Sequence, residues 1–346
     1  MGKFPATRWL KDQFVPLPKV SKFAVDLSGK TVVIIGANTG LGLEAARHFA
    51  RMKPGRLILG CRNLEKASKA AEDVKSIAGC ETVEPWTIDL SNFKSVTAFA
   101  DRYAEEGGGR LDLLVMNAGV NSYKFTKTDD DWETTLQVNH LSTCLLTFLL
   151  LPYLKNAPAS LPAGSPRIVL LASETHYFIS PLKEADSPNI LEKLNNEEYS
   201  AKYYVTKLFN IFFVHAMAAR IPTPSADAPG LVVTSVNPGW CRSQLMRQYG
   251  GIVGALLKVG GYILARSVEM GSRAIVWASV ANPDGGAPLH GHYVHCCRVE
   301  EESDYSLSEE GRKVQERLWK ETLDVLIKVD PRLETIVKEH LPDTKA

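Results

Sequence analysis

The stretch Thr31-Val32-Val33-Ile34-Ile35-Gly36-Ala37-Asn38-Thr39-Gly40-Leu41-Gly42 decides the fold. Its first five residues are apolar or β-branched without polar alternation, the pattern of a strand buried on both faces of a parallel sheet. Gly36, Gly40 and Gly42 follow where the strand gives way to a helical pattern. Glycine there permits a tight turn and close approach of the backbone to a ligand. The helix then starts with unpaired N–H groups and the positive end of its dipole, a seat for a dinucleotide pyrophosphate. A glycine run alone is weak evidence, but this one lies between an apolar strand and an amphipathic helix.

Outward from this stretch the alternation repeats. Strand-like runs lie at 31–36, 57–61, 112–116, 167–172 and 231–236, with weaker ones at 83–88 and 292–295. Helical patterns lie near 40–52, 63–77, 92–105, 131–155, 200–220 and 267–280. The expectation is an α/β fold, a single Rossmann-type doubly wound parallel sheet of about seven strands with helices on both faces. No linker or repeat interrupts it. Residues 29–346 therefore read as one dinucleotide-binding catalytic domain behind an N-terminal extension, 1–28. Three segments depart from the rhythm: a polar insertion at 174–199, an apolar, glycine-interrupted segment at 240–265, and a C-terminal helix at 306–328. Ser306 and Glu309 have the spacing of a capping box for that helix.

The bulk composition excludes several classes. With 346 residues, 45% hydrophobic and 23% charged, the chain can bury a sizeable core. A net charge of +1 gives no electrostatic handle for nucleic acid or an anionic membrane. Six cysteines in so long a chain do not form a disulfide framework and point to reduced thiols in a cytoplasmic setting. No stretch reaches the ~20 apolar residues of a spanning helix. Pro5, Lys11, Asp12 and Pro16 interrupt any signal-peptide core. Residues 1–28 carry Phe4, Trp9, Leu10, Phe14, Val15, Leu17 and Phe23 and are expected to pack on their own domain rather than on a membrane surface. His290, His292, His295, Cys296 and Cys297 are metal-ligand types, but strand alternation would send neighbours to opposite faces, so no metal is expected.

The second strand ends Gly60-Cys61-Arg62-Asn63, without the acid that binds a ribose 2′-hydroxyl. Arg62 lies 20 residues after Gly42, where a guanidinium would pair with a 2′-phosphate. This favours NADP(H) over NAD. Asp89 follows the third strand-like run, placed to accept from an adenine amino group. Tyr203 and Lys207 are four apart and share one face of a helix. A free phenol titrates near ~10. A neighbouring ammonium, and an oxidised nicotinamide, would stabilise its phenolate. Tyr203 can then exchange a proton with a carbonyl oxygen as hydride reaches the carbon. Lys207 can also bond the ribose hydroxyls.

Together these residues resemble the short-chain dehydrogenase/reductase family over roughly residues 29–330. Gly36-Ala37-Asn38-Thr39-Gly40-Leu41-Gly42 is similar to its phosphate loop, Asp89-Leu90 to its adenine contact, and Asn117-Ala118-Gly119 to the segment that backs the cofactor. Asn139, in Val138-Asn139-His140, matches the asparagine that holds a water in the proton relay. Ser173, in Leu171-Ala172-Ser173, matches the serine that polarises the substrate oxygen. Asn237-Pro238-Gly239 matches the turn beside the nicotinamide, and Ser243 stands where a threonine often touches the carboxamide. Cys61-Arg62-Asn63, the 30-residue spacing from Ser173 to Tyr203, and Leu318-Trp319 resemble the retinol-dehydrogenase-like branch. Ile35 and Met116 depart from the family pattern, where a threonine and an asparagine are common.

The resemblance implies that residues 240–265 form a lid over the substrate. Trp240, Leu245, Met246, Tyr249, Ile252, Val253, Leu256, Leu257, Tyr262 and Ile263 would favour a bulky apolar ketone, aldehyde or alcohol, such as a retinoid, steroid, polyketide or aromatic ketone. His176, Tyr177 and Phe178 would form the opposite wall. The family often dimerises through the helices near 131–155 and 200–220, so a homodimer is one expectation, unless the insertions of this chain mask that surface. The expected function is NADP(H)-dependent interconversion of a carbonyl and an alcohol. The alternatives are an NADP-binding regulator without turnover, a class that often loses the Ser/Tyr/Lys set kept here, and a reductase of an activated C=C bond.

Overall fold

Strand β1 (Thr31–Ile35) is buried along its whole length and pairs in parallel with β2 (Arg56–Cys61) on one side and β4 (Leu113–Met116) on the other. Its unbroken apolar run has a physical reason: both faces are covered. Val33 and Ile35 point into one core cluster, Val32 and Ile34 into the other. In this computed structural model the described residues are 6–122, 124–157, 165–196, 202–225, 228, 230–243, 245, 260–262, 264–281 and 289–342. With β3 (Val83–Thr87), β5 (Arg167–Leu171), β6 (Val232–Asn237), β7 (Tyr293–His295) and β8 (Arg298–Glu300), the sheet has eight strands in the order β3-β2-β1-β4-β5-β6-β7-β8. All pairings are parallel except β7 with β8.

The helices are α1 (Ala6–Phe14), α2 (Gly40–Ala50), α3 (Leu64–Ala78), α4 (Phe93–Glu106), α5 (Thr134–Lys155), α6 (Lys202–Arg220), α7 (Val268–Val280), α8 (Glu309–Val329) and α9 (Arg332–His340). Helices α2, α3 and α7 pack on one face of the sheet, and α4, α5 and α6 on the other beneath α8 and α9. Helix α5 is interrupted by one π turn at Gln137–Leu141. By length and composition α5 could cross a membrane, but 94% of its apolar window is buried inside the protein.

Four features differ from the sequence-based expectation. First, β8 is an added antiparallel edge strand. His295 pairs with Arg298, so Cys296 and Cys297 form the whole turn, at φ 52° and 58°. Two positive φ values are the requirement of a tight hairpin that Asn-Gly usually signals, and cysteines give no such signal. Second, the capping box on Ser306 and Glu309 is not formed. Ser308 caps α8, its Oγ accepting from the Gly311 N–H at 2.9 Å, and Glu309 is the first helical residue. Ser306 belongs to a short preceding helix, Asp304–Leu307, capped by Ser303. Third, α9 extends the chain beyond the expected last helix. Fourth, the helices offered as a homodimer surface are covered by the chain's own C-terminus. Trp319 of α8 packs against Phe148 and Phe213, with ring centres 5.4 and 5.9 Å away. The Arg220 guanidinium lies 4.5 Å over the same indole.

Helix α1 docks beside β7, β8 and Trp240. The buried Arg266 side chain donates to the carbonyl oxygens of Asp12, Gln13 (3.4 Å) and Val15 (3.5 Å), satisfying the free end of that helix. Trp9 stacks on Trp240 with ring centres 5.9 Å apart.

Candidate active site

The glycine-rich loop is interlocked with its neighbours. Gly36 has φ +85°, and a Cβ there would lie 2.8 Å from the Ala118 Cα, so only glycine fits. A Cβ on Gly42 would meet the Gly36 carbonyl oxygen at 2.2 Å. Asn117 Nδ2 donates to that same oxygen at 2.8 Å. The Cys61 sulfur accepts backbone N–H groups of Ala37 and Asn38, while burial pushes its thiol up to about 11. Thr39 makes no side-chain cap at α2, so the first N–H groups of that helix stay open.

A cavity of about 700 Å³ runs from this loop along the C-terminal ends of the strands to Trp240. It crosses the point between β1 and β4 where strand order reverses, the usual ligand crevice of such sheets. Gly36, Asn38, Thr39, Gly40, Leu41, Arg62, Asp89, Leu90, Asn117, Ala118, Gly119, Ser173, Tyr203, Lys207, Pro238, Gly239 and Ser243 all line it. Gly42 and Asn139 stand behind the lining. At the far end Arg62 is exposed beside Lys66, a second cation that sequence reasoning missed. Asp89 Oδ1 is taken by the N–H and hydroxyl of Ser91, at 2.9 and 2.6 Å. The open helix start, the glycine cradle and the paired cations fit a dinucleotide phosphate.

At the near end, Lys207 is fully enclosed. Its ammonium donates to the Leu171 carbonyl oxygen at 2.8 Å, which also accepts from Asn210 Nδ2 at 3.0 Å. Loss of water pulls its pKa down to about 8. The ammonium lies 5.6 Å from the centre of the half-buried Tyr203 ring. Asn139 sits in the π turn of α5. Its Oδ1 accepts from the Val120 N–H at 2.8 Å, and its Nδ2 donates to Val120 O at 2.9 Å and Thr206 Oγ1 at 3.1 Å. It therefore ties the end of β4 to α6, the helix that carries Tyr203 and Lys207. A Cβ on Gly119 would reach within 3.3 Å of Asn139 Oδ1 and 3.6 Å of the Lys207 ammonium. Ser173 lies two residues after β5 and caps a 3₁₀ turn, its Oγ accepting from the Thr175 N–H at 3.3 Å.

The wall expected from His176, Tyr177 and Phe178 is corrected. His176 is buried, with Nδ1 at 2.7 Å from Ser173 O, and its Nε2 accepts from the Ser303 N–H at 3.2 Å. That pairing requires the neutral Nδ1–H form, and burial lowers its pKa to about 4. Tyr177 donates to Glu301 O, and Phe178 is exposed. Glu174 and Thr175 line the cavity instead, as do Trp240, Cys241 and Leu245. Tyr262 is described and exposed. The other expected lid residues, Met246, Tyr249, Ile252, Val253, Leu256, Leu257 and Ile263, lie outside the described residues.

Contrary to expectation, alternation does not scatter all of the histidines and cysteines. Cys296 lies in the turn, not on the strand, and its sulfur is 3.3 Å from His295 Nε2. Asp12 of α1 joins them, with ligand atoms within 4.8 Å of one another. Guanidinium groups surround the trio: Arg266 is 3.2 Å from Cys296 Sγ, while Arg8 and Arg298 are 3.6 and 4.0 Å from Asp12. That positive field opposes a cation.

A family model described as short chain dehydrogenase matches residues 30–177. A short chain dehydrogenase/reductase of Cryptosporiopsis sp. is 33% identical over 312 residues, 88% of this chain and 92% of its own. A short-chain dehydrogenase/reductase of Phaeosphaeria nodorum is 32% identical over 316 residues, 90% of each. Among solved structures, L-sorbose reductase from Gluconobacter frateurii, complexed with NADPH and L-sorbose, matches with a TM-score of 0.55 and 22% identity. The match covers 78% of this chain and 95% of that one. Salutaridine reductase from Papaver somniferum matches with a TM-score of 0.57 and 19% identity, over 76% of this chain and 99% of its own. The solved structures share the fold, and the relatives share sequence along nearly the whole length. The chain belongs to the short-chain dehydrogenase/reductase family of oxidoreductases.

Proposed function

We propose that the protein is an NADP(H)-dependent oxidoreductase that interconverts a carbonyl and an alcohol on a bulky, largely apolar substrate. One observation carries the reading. A single cavity joins the open N-terminus of α2 to Ser173, Tyr203 and Lys207. When bound, the nicotinamide ring supplies or accepts the hydride. Ser173 and Tyr203 hold the carbonyl oxygen, and Tyr203 gives it a proton in reduction or takes one in oxidation. The Lys207 ammonium favours the phenolate that remains. Arg62 and Lys66 support NADP(H), since a charge-assisted pair is worth about 1.5–3 kcal/mol, a preference of about ten- to a hundredfold over NAD(H). Val120, Val138, Trp240 and Leu245 along the cavity support an apolar substrate body.

The test is oxidation of NADPH, with NADH in parallel, against a panel of aromatic and alicyclic ketones and aldehydes. Product analysis separates carbonyl reduction from C=C reduction. Tyr203→Phe should lose about 10²–10⁴-fold in kcat/KM, with the NADPH dissociation constant nearly unchanged. A Tyr203→Phe enzyme with full activity would overturn the assignment, and a wild type inert to the whole panel would favour the regulator reading.

A further inference from the structure

Glu174 follows Ser173 directly and lines the same cavity, yet the chemistry above makes no use of it. It is only 7% exposed. A carboxylate has room for about four hydrogen bonds, and burying it with fewer is costly. Here Oε1 accepts one long bond, 3.3 Å, from the neutral indole of Trp9. Oε2 is closed to water and has no hydrogen-bond partner among the described residues. That second oxygen is thus unmatched among the described residues, at the wall of the site where a substrate carbonyl is expected.

We propose that Glu174 recognises a hydrogen-bond donor on the substrate, a phenolic or alcoholic hydroxyl close to the reacting carbonyl, with Trp9 of the N-terminal helix holding the carboxylate in position. Ser173 and Glu174 are consecutive and both line the cavity, so the free acceptor belongs to the same part of its wall. The terminal torsion of glutamate is broad, so its free oxygen turns toward a donor at little cost. A site with an unmatched polar group discriminates strongly against an analogue that lacks the partner. The substrate is then a hydroxylated apolar body rather than a plain hydrocarbon ketone. The kinetic part of this inference rests on the carbonyl-reduction reading; its binding part does not.

The experiment compares 1-tetralone with its ring-hydroxylated derivatives on the full chain. Binding to the NADP⁺-loaded enzyme is read by tryptophan fluorescence, and turnover by NADPH oxidation. Wild type should bind at least one hydroxylated member about tenfold or more tighter than the parent. Glu174→Leu should abolish that ratio, and Glu174→Gln, which keeps an acceptor, should retain part of it. Trp9→Phe leaves Glu174 in place but removes its indole donor, and should reduce the ratio several-fold. It serves as the second variant should Glu174→Leu not fold. Equal binding of parent and hydroxylated ketones by wild type, an unchanged ratio in Glu174→Leu or, failing that, in Trp9→Phe, or no binding by any member, overturns the proposal. Glu174-dependent binding without reduction would sink the reductase reading alone. Reduction indifferent to the hydroxyl would sink only the role of Glu174.

Discussion

Lys207 shows what a single side chain costs and does. Its pKa falls from 10.5 to about 8 because it is fully enclosed, a penalty of about 3 kcal/mol on the charged form. The folded chain therefore releases a proton near pH 8 that the unfolded chain keeps until about 10.5. Stability should rise with pH across that window, and the penalty is full below it. Catalysis has the opposite dependence, because the phenolate of Tyr203 needs the ammonium. For ketone reduction, kcat/KM should be level up to about pH 8 and fall about tenfold per pH unit above it. Lys207→Met should lose at least about a hundredfold in kcat/KM without a lower unfolding midpoint at pH 7. A rate level to pH 10, or a variant that unfolds much earlier, would contradict this account. Such residues were legible in the sequence because the chemistry restricts them to one type at fixed spacing. Glu174 was not: its meaning comes from Trp9, 165 positions away, and nothing local in the chain reports that contact.

At the scale of elements, strands β1 to β7 and helices α2 to α7 were legible, because burial on both faces leaves unbroken apolar runs and a 3.6-residue period marks the helices. Strand β8 was hidden by a turn made of Cys296 and Cys297, residues that seldom adopt positive φ. Pro331, just before Arg332, was an available signal for α9. The π turn that seats Asn139 leaves no trace in an apolar segment. The joint between α1 and the rest of the molecule depends on Arg266, whose donors meet the carbonyls of Asp12, Gln13 and Val15. Arg266→Met keeps the bulk and removes those donors. It should cost about 3 kcal/mol, seen as a lower denaturant midpoint, and weaken substrate more than cofactor, because α1 braces Trp240 and Glu174 and not the phosphate loop. Equal weakening of both would show that α1 supports the whole crevice instead.

The whole molecule has a sheet whose one face is covered by two layers, with α8 and α9 lying over α5 and α6. Helices α8 and α9 pack over this surface, so we expect no direct pairing of two copies through α5 and α6. Sedimentation equilibrium should therefore find no dimer through α5 and α6. Trp319→Ala should destabilise by about 3–5 kcal/mol and promote self-association as Phe148 and Phe213 lose their cover. Wild-type pairing through those helices, demonstrated by cross-linking, would refute this view. The docking of α1 also has a consequence for biosynthesis. Gln13 meets Arg266 across 253 positions, and Asp12 reaches His295 later still. Helix α1 leaves the ribosome long before Arg266 and His295 are made and must wait for them unpartnered, and Trp240 stays uncovered until α1 returns to it.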